Sequence, residues 1–126
     1  MNNWSDWLSR VSVISYDVGF GCRQYTAFHP DYPGPVGVVW ASLRSDGECQ
    51  SANVIHSYTL PFYRRRGIRS LINKTIMEEC EVITTPGGSD DGGLDFLKAA
   101  GYQYDPQRKD WFLTRNVSES SDVPVK

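Results

Sequence analysis

The chain has 126 residues, of which 40% are hydrophobic and 22% are charged, and its formal net charge is −2. These values are typical of a single globular domain and exclude a disordered chain or a membrane-embedded protein. The slight negative charge argues against general attraction to nucleic acid or to acidic membranes, so a nucleic-acid-binding domain is the least favoured class.

The cysteines and the N-terminus indicate a cellular compartment. Cys22, Cys49 and Cys80 are widely spaced and form no CxxC pair, which favours free thiols over a disulfide framework or a zinc site. We therefore expect no bound metal. The first ten residues lack the apolar core of a secretory signal peptide, and no apolar run approaches the roughly 20 residues of a membrane span. These features predict a cytoplasmic protein.

The first half of the chain predicts a short helix followed by strands. Trp4, Trp7 and Leu8 have helical spacing within residues 2–9. Segments rich in β-branched and aromatic residues follow, separated by turn formers, and they predict four strands at residues 11–16, 22–29, 36–43 and 50–60. The signal for a hairpin at 45–47 joins the last two strands. Pro61 ends the fourth strand because proline cannot donate a hydrogen bond to a ladder.

From Gly67 the hydrophobic period changes to that of an amphipathic helix. Arg69 and Asn73 are predicted to lie off its apolar face, which is formed by Ile68, Leu71, Ile72, Thr75 and Ile76. A short buried strand is then predicted at 81–85. A second helix of about ten residues follows, with capping residues at 89–91 and a stop at Gly101.

Two further strands, at 102–105 and 111–115, are predicted to close the chain as a hairpin around a turn at 106–109. Residues 116–126 have no hydrophobic period and predict a loose C-terminal tail. The predicted order is therefore a run of antiparallel strands, a helix, a strand, a helix and a hairpin. It predicts one α+β domain over residues 1–115 with a crossover in its second half.

The stretch from 54 to 72 carries the clearest chemistry. A strand leads into Arg64, Arg65, Arg66 and Gly67, and a helix begins there. The first turn of a helix has free N–H groups and a partial positive charge, which together can hold a pyrophosphate. Glycine allows close backbone approach, and arginines supply charge-assisted hydrogen bonds. The physics predicts an anion site at a helix start and leaves the identity of the anion open.

This stretch resembles the acetyl-CoA-binding motif of the GNAT superfamily of N-acetyltransferases, a strand followed by (Arg/Gln)-x-x-Gly-x-(Gly/Ala) and a helix. Arg64 matches the first position and Gly67 the first glycine, whereas Arg69 stands where the second small residue is usual. Residues 96–102 resemble the family's Phe-Tyr-x-x-x-Gly-Phe. The resemblance covers about residues 36–115. It implies a mixed, mostly antiparallel sheet with splayed central strands and two main helices.

The resemblance also implies how coenzyme A binds. Its pantetheine arm inserts between the splayed strands and borrows their backbone hydrogen bonds. Thr59 and Leu60 are expected to face the acetyl and pantetheine end, and a backbone N–H near Leu60 is expected to polarise the thioester carbonyl. The other cofactor-binding residues that it implies, around the pyrophosphate, are Arg64, Arg65, Arg66, Gly67, Ile68, Arg69 and Ser70.

The implied reaction is direct attack of a primary amine on acetyl-CoA in a ternary complex, which needs a proton acceptor and a proton donor. Leu97 stands where many family members have the tyrosine acid, so Tyr102 or Tyr104 is the nearest replacement, and we take Tyr102 as the candidate. His56 is the candidate base because imidazole exchanges protons near neutral pH, with bound water as the alternative. An ordinary strand histidine and core tyrosines are the structural alternatives.

Family members place two helices between their first two strands, whereas only a few residues separate Tyr16 from Cys22 here. Either one wall of the substrate cleft is absent, which suits a bulky or macromolecular amine, or the helix at 2–9 or a partner subunit of a homodimer replaces it. The acceptor stays open between a protein lysine, a peptide terminus and a small amine. The two departures, at Leu97 and Arg69, leave a second hypothesis, a domain that holds coenzyme A or a partner without efficient turnover.

Overall fold

The computed structural model describes residues 4–46, 49–86 and 97–114. Its elements, in chain order, are α1 (Trp4–Leu8), β1 (Ser12–Gly19), β2 (Cys22–Phe28), β3 (Pro35–Asp46), β4 (Cys49–Thr59), a 3-10 helix (Pro61–Tyr63), α2 (Ile68–Met77), β5 (Val82–Thr85), β6 (Gln103–Asp105) and β7 (Asp110–Thr114). The predicted strands and the helices at the N-terminus and after Gly67 are present, and β1 and β3 extend three residues beyond the predicted ends at 16 and 43.

The strands form one seven-stranded sheet in the order β1-β2-β3-β4-β5-β7-β6. Neighbouring strands are antiparallel except β4 and β5, which are parallel. This exception arises because the chain leaves β4, crosses the sheet through α2 and returns in the same direction as β5. The α+β class with a mixed, mostly antiparallel sheet is thereby confirmed.

Helix α2 covers one side of the sheet, which we call the helix face. Ile68, Ile72 and Ile76 are buried there, as predicted. The helix approaches closely at Gly37 on β3, where an added Cβ would lie 2.8 Å from Ile68 Cγ2. The prediction for Asn73 is wrong: this residue is buried, because its amide reaches a hydrogen-bond partner inside the core.

The opposite side, which we call the open face, carries side chains that no described helix covers. Ile14, Tyr16, Trp40 and Tyr58 are each between 42% and 50% exposed. The sequence explains this, because β1 and β2 are joined by a tight hairpin in which Gly19 pairs with Cys22. The chain has no room there for the two helices that the resemblance leads one to expect.

Part of the predicted second helix is present. A helical turn at 97–99 ends at Gly101, which has φ 95°, and the Tyr102 amide donates to the Leu97 carbonyl at 2.9 Å. This is a left-handed C-terminal stop, as predicted. The capping residues at 89–91, the tip of the hairpin at 47 and the tail at 116–126 lie outside the described residues.

Candidate functional site

Strand β4 diverges from β5 after a short stretch of pairing. Only Ser51, Ala52 and Asn53 of β4 pair with β5, opposite Val82, Ile83 and Thr84. From 54 to 59, β4 pairs with β3 but with no described strand on its other side. Trp40 pairs with His56 while Ala41 pairs with Val54, so a one-residue bulge lies in β4 where the divergence begins. Within the part of the chain that the structure describes, a gap therefore opens between the central strands β4 and β5.

The backbone of β4 offers hydrogen-bonding groups to this gap. The Leu60 amide donates to the Val36 carbonyl at 3.1 Å, so Leu60 faces β3. Because backbone groups alternate in direction along a strand, those of Ser57 and Thr59 face the gap. The Thr59 carbonyl is already used, since it accepts a hydrogen bond from Arg64 Nε at 2.9 Å. An extended ligand can therefore add to this edge as another strand would.

The gap ends at the start of α2. Arg65 and Gly67 adopt left-handed backbone conformations, with φ 64° and 94°, and turn the chain from β4 into the helix. Gly67 is the N-cap residue and supplies no side-chain cap; its carbonyl accepts the Leu71 amide at 3.0 Å. The first-turn amides of α2 thus keep their capacity for an anion, next to the gap.

Arg64 and Arg65 have different surroundings although they are adjacent. Arg64 is half-buried, and its hydrogen bond to Thr59 ties the loop to β4. Its guanidinium also lies 5.5 Å from the centre of the Tyr58 ring. Arg65 is exposed and makes no hydrogen bond or ion pair within the described part of the chain. Of these two arginines, Arg65 is the one whose guanidinium has no polar contact with the described residues.

Arg66 is turned toward helix α1. Its guanidinium lies 4.1 Å from the centre of the Trp4 ring, and its Nε is buried without a described hydrogen-bond partner. Trp7 stacks on His29 and on Tyr63, with ring centres 4.2 and 4.8 Å apart. Helix α1 therefore packs beside the loop. The sequence predicts this helix but not its packing beside this loop.

Arg69 extends from the first turn of α2 to β4. Its Nη1 donates to Ser57 Oγ at 2.9 Å and its Nε to Asn73 Oδ1 at 3.3 Å. Burial lowers the pKa of Arg69, and the neighbouring Tyr102 hydroxyl partly offsets this. Burial likewise raises the pKa of Tyr102, which accepts a hydrogen bond from Asn73 Nδ2 at 3.1 Å. Ser57, Arg69, Asn73 and Tyr102 thus form one polar network, which we call the Arg69 network.

The two catalytic candidates lie on opposite sides of the sheet. His56 is exposed and pairs with Trp40, whose side chain belongs to the open face. Tyr102 is 5% exposed and belongs to the Arg69 network on the helix face. Leu97, in the family's tyrosine position, is buried in the core. The structure therefore does not bring His56 and Tyr102 together.

Two kinds of feature are absent from the described residues. No group of three or more histidine, cysteine, aspartate or glutamate residues is arranged to hold a metal ion within residues 4–46, 49–86 and 97–114. Among the helices in the same ranges, none has the length and apolar character needed to cross a membrane.

No protein-family model and no curated protein sequence matches the chain. Solved structures do match it. An acetyltransferase candidate from Exiguobacterium sp. 255-15 aligns with 84% of this chain and 71% of its own, at 18% identity and a TM-score of 0.60. Arabidopsis thaliana NAA60, solved with a bisubstrate analogue, aligns with 69% of this chain at 18% identity and a TM-score of 0.55.

The aminoglycoside N-acetyltransferase AAC(6')-Iy, solved with CoA, aligns with 68% of this chain and 70% of its own, at 16% identity and a TM-score of 0.51. The chain spans 64% of the plant protein, which is less than two thirds of its length. At these identities the likeness concerns the fold, and it agrees with the splayed strands and the helix that follows them. The chain has the fold of the GNAT acetyltransferases.

Proposed function

We propose that this protein is an acetyl-CoA-dependent N-acetyltransferase that transfers an acetyl group to a primary amine in a ternary complex. The observation that carries the proposal is the gap beside the second half of β4, which ends at the uncapped start of α2. A strand-like edge next to an anion site suits a ligand with a pyrophosphate and an extended amide-bearing arm. Coenzyme A has both parts.

The similar structures support this choice of ligand. AAC(6')-Iy was solved with CoA, and Arabidopsis NAA60 with a bisubstrate analogue. Both share the fold of this chain, which supports a ligand of that kind for the gap beside β4. Acetyl-CoA is therefore the proposed co-substrate, and none of the proposed steps needs a metal.

The cofactor-binding residues then divide by role. The backbone of Ser57 and Thr59 would pair with the pantetheine arm, and the exposed Arg65 would contact the pyrophosphate beside the first-turn amides of 68–70. Arg64 would hold the loop in place through the Thr59 carbonyl. The Leu60 amide, which the resemblance leads one to expect at the thioester, donates to the Val36 carbonyl instead. A backbone N–H of β4 that faces the gap would therefore polarise the thioester carbonyl as the amine attacks.

The structure supports the two proton-transfer candidates unequally. His56 is exposed on β4 beside the gap and stays our candidate base, with bound water as the alternative. Tyr102 was the candidate acid, but its hydroxyl lies within the Arg69 network. We infer that Tyr102 can protonate the thiolate only if this network opens, and that the two residues do not act on one substrate from the same side.

The open face bears on the acceptor. Because no described helix covers His56 and its neighbours, a protein lysine or a peptide terminus could approach as easily as a small amine. The contacts of α1 place it at the α2 start, so within the described chain it does not replace a wall over the open face. A partner subunit in a homodimer remains a proposal, as does a cytoplasmic location with free cysteines.

Coenzyme A binding to an Arg65→Glu variant tests the site. Reversing the charge of an exposed arginine beside the proposed pyrophosphate should weaken binding about tenfold or more, since charge-assisted hydrogen bonds each contribute about 1.5–3 kcal/mol. Isothermal titration calorimetry of wild type and variant provides the measurement.

Arg108→Glu is the matched control, because Arg108 is also exposed but lies in the turn between β6 and β7. It should leave the affinity for coenzyme A unchanged. Equal affinity in wild type and Arg65→Glu, or an equal loss in both variants, would contradict the assignment of the pyrophosphate to the α2 start.

A second function, a coenzyme A- or partner-binding module with little turnover, is favoured by two observations. Arg69 Nη1 reaches Ser57 Oγ, beside the backbone that the arm would use, and the family's acid position holds the buried Leu97. Release of free thiol from acetyl-CoA with a panel of peptide and small amines separates the two functions. Binding of coenzyme A with no amine-dependent thiol release would favour the module.

A further inference from the structure

Arg69 joins the two sides of the gap. Ser57, which accepts from its Nη1 at 2.9 Å, lies in the part of β4 that has left β5. Tyr102, which also interacts with Arg69, directly precedes β6 on the other side of β5 in the sheet. The guanidinium therefore bridges β4 and the far part of the sheet across the helix-face side of the gap.

This bridge is a defined arrangement. Asn73, one turn along α2 and 5% exposed, holds Arg69 Nε through its side-chain oxygen and the Tyr102 hydroxyl through its nitrogen. Both partners of the amide are thus fixed, and the guanidinium is directed at Ser57. An arm that adds to β4 at Ser57 would compete with the guanidinium for the helix-face side of the gap, which the Arg69–Ser57 contact crosses.

A bound anion can compete with Ser57 for the Arg69 guanidinium. Within the Arg69 network, the groups that Arg69 contacts are all neutral: Ser57, Asn73 and Tyr102. A phosphate forms stronger charge-assisted hydrogen bonds with a guanidinium than a hydroxyl does. Arg69 also belongs to the first turn of α2, where the amides would hold the diphosphate. Its long side chain can turn from the gap to that anion by rotamer changes alone.

We propose that Arg69 is a gate that determines donor specificity: it closes the gap to thioester arms lacking a diphosphate, and a bound diphosphate draws it away from Ser57. The inference rests on the proposed function and deepens it. A donor that carries a diphosphate displaces Arg69 from Ser57 when it binds, whereas pantetheine binds against the intact Arg69–Ser57 contact. The family's usual small residue at this position leaves no such side chain.

The test compares two ligands, coenzyme A and pantetheine, by NMR titration of labelled wild type and Arg69→Ala. Pantetheine carries the arm without the diphosphate, so removing the gate should tighten its binding about tenfold. The affinity for coenzyme A should increase less than the affinity for pantetheine, or should decrease, since the variant also loses a phosphate contact. Alanine suits a helix interior, and thermal unfolding verifies that the variant is folded.

Two further variants make the result specific. Ser57→Ala removes the acceptor on β4 while leaving α2 unaltered, so it should also tighten pantetheine binding, by a smaller factor. Arg65→Ala should weaken coenzyme A binding and leave pantetheine binding unchanged, because Arg65 is exposed and outside the Arg69 network.

The outcomes distinguish this inference from the proposed function. If wild type binds coenzyme A but Arg69→Ala binds pantetheine no more tightly than wild type does, the gate is overturned and the proposed function stands. If wild type does not bind coenzyme A, the proposed function is overturned and the gate with it.

Discussion

Tyr102 illustrates how the role of one side chain depends on its surroundings. The same phenol that the sequence offers as a proton donor lies in the core, where it accepts a hydrogen bond from the buried Asn73 amide at 3.1 Å. Burial raises its pKa, so the neutral form persists to higher pH than in an exposed tyrosine. We therefore expect Tyr102 to contribute to stability, whereas the acid role stays a prediction.

Replacement of Tyr102 by phenylalanine should lower the free energy of unfolding by about 1–3 kcal/mol, because it leaves the Asn73 nitrogen buried without its acceptor. Urea unfolding monitored by tryptophan fluorescence gives the value. Tyr104→Phe is the control: this tyrosine is 47% exposed, and its loss should cost less than about 0.5 kcal/mol. Equal effects at the two positions would show that the Asn73 contact contributes little.

At the scale of elements, α1 packs closely against the glycine that begins α2. Gly67 has φ 94°, and an added Cβ would lie 2.9 Å from Leu8 Cδ2. The left-handed conformation turns the chain from the loop into the helix, and the missing side chain leaves room for Leu8. Glycine is therefore favoured here for two reasons: the left-handed backbone conformation and the space that Leu8 of α1 occupies.

Gly67→Ala should destabilise the protein more than Gly19→Ala does. Gly19 has a similar φ of 95°, but its added Cβ would have nothing within 4 Å. Strain alone should cost about 1–2 kcal/mol at each site, and the contact with Leu8 adds to it only at Gly67. The measurements are urea unfolding and the tryptophan emission maximum, which should shift to the red only in Gly67→Ala as Trp4 and Trp7 become more exposed. Identical losses with unshifted emission would mean that α1 does not rest on Gly67.

At the scale of the whole molecule, the sheet is joined to the far end of α2 through Tyr25. This residue is fully buried on β2, and its hydroxyl lies 3.5 Å from Glu79 Oε1 just beyond the helix. Burial, with the nearby Glu79 carboxylate as a second cause, raises the pKa of Tyr25 to about 12. Global stability should therefore depend on pH in the alkaline range.

The sign follows from proton uptake. Between the pKa of about 10 in the unfolded chain and about 12 in the folded protein, the folded state holds the Tyr25 proton and the unfolded state has lost it. The free energy of unfolding should fall as pH rises through this range, and the share due to Tyr25 is about 2–3 kcal/mol. Urea unfolding at pH 8 and at pH 11.5 should show a smaller fall for Tyr25→Phe than for wild type. An equally steep fall in the variant would assign the alkaline loss to other groups.

The sequence alone determined the elements and their order, because local periodicity and turn residues act over a few positions. The change of period at Gly67, the stop at Gly101 and the strand end at Pro61 are all local, and each is found where the pattern predicts it. The motif likewise predicted a strand, a basic turn and a helix start. These features gave the α+β fold and the place of the candidate site.

Only the tertiary structure decided how the side chains of that site are used. The burial of Asn73, the contact of Arg66 with Trp4 and the reach of Arg69 to Ser57 join residues from different elements. The separation of His56 and Tyr102 onto opposite faces likewise follows from the bulge in β4 and the crossover through α2. A pattern of spacing along the chain carries no information on such contacts, because they depend on how the elements pack against one another.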